Sequence, residues 1–221
     1  MFFIANQITP APGKVGELRK AAARATEVAK AHGEKLIAGF QIAMGQGVGN
    51  LVYISAYDDG DAYEAAMKAV EESGDGEKVG KLIASSISAV LQPLPDSPLH
   101  EDLHERGSTL YIGILITPVP GMAEAFLAMT SSARQVAEAN GARPLAGFQV
   151  SLGPNQGSLF YIVGYEDDQA YLNTRKALAD SGYNREVEPL IASSSSSVLQ
   201  LLPEAAIQVP EETIRIAEPA E

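Results

Sequence analysis

The 221 residues contain no cysteine, no tryptophan and only 3 histidines. The first absence excludes disulfides, thiolate nucleophiles, cysteine-ligated zinc and iron–sulfur clusters together. Basic residues are scarce as well: 16 Lys and Arg stand against 28 Asp and Glu, a formal charge of −12. No local Lys/Arg cluster offsets that balance, which repels phosphate backbones and anionic lipid, so nucleic acid is not an expected partner. No stretch approaches the roughly 18 consecutive apolar residues of a membrane-spanning helix, so no membrane partner is expected either. The opening Met1-Phe2-Phe3-Ile4 lacks the basic flank of a secretory signal and aligns with an internal segment further on. Without a targeting signal the expected location is cytoplasmic. What is present is 46% hydrophobic and 20% charged residues, over a length that suits one large domain or two of about 110 residues.

The organising feature is a duplication. Ile8-Thr9-Pro10-Ala11-Pro12-Gly13 returns as Ile116-Thr117-Pro118-Val119-Pro120-Gly121, a shift of 108 residues. The same shift carries Ala38-Gly39-Phe40-Gln41 onto Ala146-Gly147-Phe148-Gln149 and Leu82-Ile83-Ala84-Ser85-Ser86 onto Leu190-Ile191-Ala192-Ser193-Ser194. About 40 of the first 96 positions match without a gap, which is beyond coincidence. A period this long makes each copy a compact unit rather than a solenoid repeat.

Reading the copies together predicts their elements. Residues 2–9 are β-rich and end at a Thr-Pro turn signal. Val15, Leu18, Ala22, Ala25 and Ala29 form one helical stripe stopped by Gly33, with Gly141 as its counterpart. Residues 36–44 and 50–57 alternate as a hairpin. Asp58 to Asp61 places carboxylates where they cap a second helix running to Ser73-Gly74, and a last strand follows over 85–94. Each copy is therefore β-α-β-β-α-β, the ferredoxin-like order, and the fold class is α+β. Both helices of such a unit cover one sheet face, so the two bare faces are expected to meet in an intrachain α/β barrel with the helices outside. The expected division is repeat one over 1–95, a Pro-rich charged tether over 96–108, repeat two over 109–203 and an acidic tail over 204–221. In the tail, Ile207-Gln208-Val209 or Thr213-Ile214-Arg215-Ile216 offers an edge strand.

The Pro-Gly before the first helix, the Ala-Gly-Phe-Gln strand, and Gly153-Pro154-Asn155-Gln156 followed by Tyr161-Ile162-Val163-Gly164-Tyr165-Glu166 resemble the NIPSNAP family. That family belongs to the dimeric α/β-barrel superfamily, with the antibiotic-biosynthesis-monooxygenase-like proteins. The resemblance covers both copies. It implies that single-domain members pair into the barrel this chain builds alone, and that the chemistry is drawn from cofactor-free oxygenases, isomerases, cyclases, haem-degrading enzymes or proteins without catalysis. The chain departs from the family pattern in having Tyr53 and Tyr161 where a Trp is expected, and in lacking an Arg early in the second helix. Neither copy offers a His on that helix to ligate haem iron.

His100-Glu101-Asp102-Leu103-His104 fits the zinc-protease spacing H-E-x-x-H. It follows Pro98 in the tether with no apolar helical run before it, so a solvated linker is expected and no metal is assigned. His32 and its counterpart Asn140 precede the glycines of the helix ends and suit C-terminal capping. The polar residues common to both copies are the better candidates. Tyr53, Ser55 and Tyr57 alternate against Val52, Ile54 and Ala56, and Ser86, Ser88 and Gln92 share a face of the last strand. With the more apolar face given to the helices, these residues are expected to point into the barrel, joined by Gln41, Gln149, Tyr161, Tyr165, Ser194, Ser196 and Gln200. The candidate catalytic residues are Tyr57, Tyr165, Tyr53 and Tyr161; the candidate substrate-binding residues are Gln41, Gln149, Ser86, Ser88, Ser194, Ser196, Gln92 and Gln200. Tyrosine hydroxyls and glutamine amides suit an oxygenated organic molecule and an enolate-like charge. Alternatively, they hydrogen-bond one another and fill the interface. The expectation is a small-molecule enzyme acting on a hydrophobic or aromatic oxygenated compound with no cofactor, and a barrel free to pair into a homo-oligomer. The alternative is a non-catalytic binding or assembly protein. Ser55 against Val163 and Met44 against Leu152 mark the two halves as inequivalent.

Overall fold

A computed structural model describes residues 1–95, 97 and 107–203. The first half runs β1 (Phe2–Pro10), α1 (Val15–Lys30), β2 (Lys35–Met44), β3 (Leu51–Tyr57), α2 (Gly60–Glu72), α3 (Asp75–Gly80) and β4 (Ile83–Pro93). The second runs β5 (Leu110–Pro118), α4 (Ala123–Ala139), β6 (Arg143–Leu152), β7 (Leu159–Tyr165), α5 (Asp168–Asp180), α6 (Tyr183–Val187) and β8 (Ile191–Leu201), with a 3₁₀ turn at Glu188–Leu190 before the last strand. The motif tether around His100 and His104 and the tail strand expected near 207–216 lie outside the described residues.

The helix ends follow their sequence signals. Asp59 and Asp167 cap α2 and α5 by accepting from the amides of Ala62 at 2.9 Å and Ala170 at 2.8 Å. Gly33 and Gly141 take φ of +101° and +99° just past α1 and α4, a conformation open to glycine. His32 Nδ1 lies 2.9 Å from the Val28 carbonyl, and Asn140 Nδ2 donates to that of Val136 at 2.8 Å. Both side chains thus occupy the capping places their sequence positions predict. The short helices α3 and α6 are additions to the expected order, set off by Gly74 and Gly182 in the left-handed region.

All strand pairs are antiparallel, and the order β1-β3-β2-β8-β5-β7-β6-β4 closes on itself as a barrel. Within each half the order is that of a ferredoxin-like sheet; the seams β2–β8 and β4–β6 join the halves. Gly45 and Gly153 sit at these seams with positive φ, and a Cβ at either would lie 2.8 Å from a carbonyl oxygen of the strand across it, Ser196 or Ser88. The halves also exchange ends. The Leu94 amide bonds Gly147 and the Leu202 amide bonds Gly39, so each residue leaving a last strand docks on the opposite half.

The barrel interior is largely apolar and drawn from both halves: Phe3, Phe40, Ile54, Leu91, Tyr111, Phe148, Ile162 and Leu199 form one buried cluster. Phe3 and Phe148 have ring centroids 5.5 Å apart, and Phe40 and Tyr111 5.9 Å. Since Phe3 corresponds to Tyr111 and Phe40 to Phe148, these are one contact repeated by the duplication. An eight-stranded barrel is just wide enough for side chains to fill it, and here they do. The helices bury separate clusters against the outer face, around Leu18 and Tyr53, Ile4 and Tyr57, Phe126 and Leu159, and Ile112 and Tyr165.

Candidate functional site

The strand register settles which way the polar face looks. Val52, Ile54 and Ala56 belong to the barrel cluster, so the intervening Tyr53, Ser55 and Tyr57 face the helices. The same alternation turns Tyr161 and Tyr165 outward beneath α4 and α5. Ser86 and Ser88 stand opposite Ile8 and Asn6 on the helix side, and Ser194 and Ser196 opposite Ile116 and Ile114; all four are exposed. Gln41 pairs with Gln200 across one seam and Gln149 with Gln92 across the other, each flanked by inward residues and therefore outward itself. The expected inward polar lining is thus corrected as a set. The physical reason is space: eight closely spaced strands admit Val, Ile, Ala and a few rings, whereas a phenol on every second residue needs the wider gap between sheet and helix.

That gap is open in the second half. A cavity of about 410 Å³ lies between the sheet and α4. Its floor is Ile114 and Ile116 of β5 with Tyr161, Val163 and Tyr165 of β7; its roof is Phe126, Thr130, Ala133 and Arg134 of α4. Leu178 of α5 and Tyr183 of α6 close the side, and Leu94 and Pro95 reach it from the end of β4. Of the expected site residues, Tyr161 and Tyr165 line this cavity. Tyr53 and Tyr57 occupy the matching register in the first half, packed against α1 and α2.

The cavity is apolar with a few hydroxyls. Tyr161 Oη is buried and makes no hydrogen bond of good geometry among the described residues. Thr130 lies beside Tyr161 and Tyr183, close enough to favour their ionised forms, but its own hydrogen goes to the Phe126 carbonyl at 2.9 Å. Burial dominates for both phenols and pushes them above the ordinary tyrosine range. Tyr165 is pushed up to about 12 by burial and by neighbouring Tyr171, whose ring meets it edge-on at 5.3 Å. All three are therefore hydrogen-bond donors near neutral pH. Arg134 stands at the rim, paired through Nε to Glu138 at 2.7 Å. Among the described residues the lining includes no Asp, Glu or His.

Phe126, Thr130, Ala133, Arg134 and Tyr183 were not among the expected site residues. The signal for them lay in the differences between copies. Ala142, Pro144 and Val163 line the cavity where the first half has Glu34, Leu36 and Ser55. Glu34 Oε1 accepts from Ser55 Oγ at 2.5 Å and from Tyr57 Oη at 3.3 Å, so side chains meet there where the second half is open. Among the described residues no group of three His, Asp or Glu is placed to hold a metal ion, and none of their helices is long and apolar enough to cross a membrane.

The family model described as NIPSNAP matches residues 9–98 and again 117–205. Among solved structures, a Lactobacillus acidophilus NCFM protein provisionally described as a monooxygenase is 17% identical with a TM-score of 0.63, over 94% of this chain and 98% of that one. An anthrone oxidase-like protein is 14% identical with a TM-score of 0.60, over 91% of each chain. Chlorite dismutase from Candidatus Nitrospira defluvii is 11% identical with a TM-score of 0.57, over 91% and 92%. At these identities the likeness is one of fold. No curated protein matches the chain.

Proposed function

Because the chain belongs to the NIPSNAP family, whose model spans both of its halves, we propose that it binds and converts a small, mainly apolar molecule carrying an oxygen function, in the second-half cavity. The observation that carries this reading is the buried Tyr161 hydroxyl, which makes no hydrogen bond of good geometry among the described residues and stands beside about 410 Å³ of apolar-walled space. A buried hydroxyl without a partner costs on the order of 1–3 kcal/mol. A ligand oxygen accepting from it recovers that loss and is oriented by it. The phenols stay protonated, so they stabilise negative charge growing on that oxygen, as on an enolate or phenolate. Such stabilisation is the service required by cofactor-independent oxygenases and isomerases, and it fits the monooxygenase and anthrone oxidase-like descriptions of proteins sharing the fold.

One observation favours a second reading, binding without turnover: among the described residues the lining contains no carboxylate or imidazole to move a proton. Under the first reading, with those residues alone, the substrate enolises or ionises by its own acidity.

Anthrone under dioxygen separates the two. Its oxidation moves both methylene hydrogens and one oxygen atom into water, while the other oxygen atom becomes the new ketone. The enzyme reading expects oxygen uptake well above that of the Tyr161→Phe variant. Saturable binding without uptake leaves the binding reading, and absence of both overturns the proposal.

A further inference from the structure

The first half uses the same architectural position for something else. Glu34 lies between the end of α1 and β2, and its counterpart is Ala142. Oε1 accepts from Ser55 Oγ at 2.5 Å and Tyr57 Oη at 3.3 Å; Oε2 is buried with no partner among the described residues. Ser55 and Tyr57 are 1% and 2% exposed, and Tyr57 packs in an apolar cluster with Ile4, Ala29 and Ala66. A carboxylate so placed would leave one of its two charged oxygens dry and unpaired, which is among the costliest arrangements a protein interior can hold. A carboxylic acid avoids that cost. The second half shows that the fold does without the group, since Ala142 and Val163 stand in place of Glu34 and Ser55.

From this geometry we infer that Glu34 is a proton-binding site: the folded first half carries it protonated, and its ionisation on raising the pH weakens the packing of α1 and α2 against β3. Burial is the leading influence on this carboxyl and raises it above the ordinary glutamate range; the hydrogen bonds from Ser55 and Tyr57 and the charge of Lys30 oppose without prevailing. Lys30 is itself paired with Glu27 at 2.9 Å. From the other elements Tyr63 of α2 faces Tyr57 edge-on at 5.2 Å, and Lys35 of β2 is paired with Asp58 at 2.7 Å. None of these brings an unpaired cation to Oε2.

The sign follows from linkage. The folded state holds a proton at pH values where the unfolded state has released it, so stability from this group is full below the unfolded glutamate range and falls as pH rises toward the folded value. The test is denaturant unfolding of the full chain from acid to mildly alkaline pH, for wild type, Glu34→Gln and the double variant Glu34→Ala/Ser55→Val, which carries the second half's pair. Through that window the wild-type unfolding constant is expected to rise relative to Glu34→Gln by up to about tenfold per pH unit, then level off. The double variant should match Glu34→Gln in its insensitivity. Parallel pH profiles for wild type and Glu34→Gln would overturn the inference. Should the variants fail to fold, the side-chain carboxyl carbon shift of Glu34 in labelled wild type decides alone: midpoint above the ordinary glutamate range supports the inference, and a midpoint at or below it refutes it.

Discussion

Tyr161 and Tyr53 are the same residue of the duplicated sequence in different surroundings, and the difference lies in their neighbours. Tyr161 looks into open space bounded by Ala133 and Phe126; Tyr53 is 7% exposed, in a cluster with Leu18, Ala22 and Leu36. Removing the Tyr161 hydroxyl should therefore separate function from stability. In Tyr161→Phe, chemical denaturation is expected to show unchanged or slightly increased stability, because a buried unpaired group disappears. Binding of an oxygenated aromatic probe should weaken about fivefold, the loss of one hydrogen bond worth on the order of 1 kcal/mol. A stability loss with unchanged binding would make the hydroxyl structural. Because Tyr165 is pushed up to about 12 and Tyr161 is raised as well, donor-dependent binding should stay flat through pH ~10, where an ordinary tyrosine ionises. A titration step near that value would contradict the burial account. Among barrel residues, Phe148→Ala is expected to cost about 3–5 kcal/mol, since its fully buried ring packs on Phe3 from the opposite half.

The strands and helices were largely legible because the duplication reports each one twice. Both N-caps, both glycine stops and both hairpins stand where the paired signals put them. The orientation of β3 and β7 was not legible. Alternation of Tyr with Val and Ile defines two faces, but hydrophobicity alone does not say which face belongs to a closed barrel. The decision rests on volume: Val52, Ile54 and Ala56 fit the barrel, and the phenols fit the sheet–helix gap. With that inversion, the serines of β4 and β8 came to lie on the outer face rather than around a central cavity. The short helices α3 and α6 escaped prediction because six and five residues are too few for a periodic signal. At this scale, replacing Asp167 by Ala should lower stability by about 1 kcal/mol, since the α5 cap from the Ala170 amide is lost. Gly153→Ala should cost more than the cap, because φ is +111° and the new Cβ would stand 2.8 Å from Ser88 O at a seam. Thermal melts of the two variants side by side check that order.

Over the whole molecule, the seams and the exchanged Leu94 and Leu202 join the two halves into one closed barrel. An isolated half would expose the apolar face that fills the barrel, so a chain of residues 1–95 alone is expected to associate or aggregate; sedimentation of a stable monomer would contradict this. Duplication within one chain frees the halves to diverge, and they have: one keeps an open apolar cavity under α4, the other a buried acid beneath α1 and α2. The halves therefore share a scaffold but differ in these side chains. The proposed function depends on the cavity being a ligand site, and the most direct test is an NMR titration of the full chain with 1-naphthol, following methyl and amide resonances. The prediction is saturable shifts centred on Ile114, Leu127, Ala133 and Val163, which line the cavity, while Ile54 and Leu91 inside the barrel stay still. Shifts confined to the barrel interior or the outer strand surface, or no saturable shift at all, would contradict it.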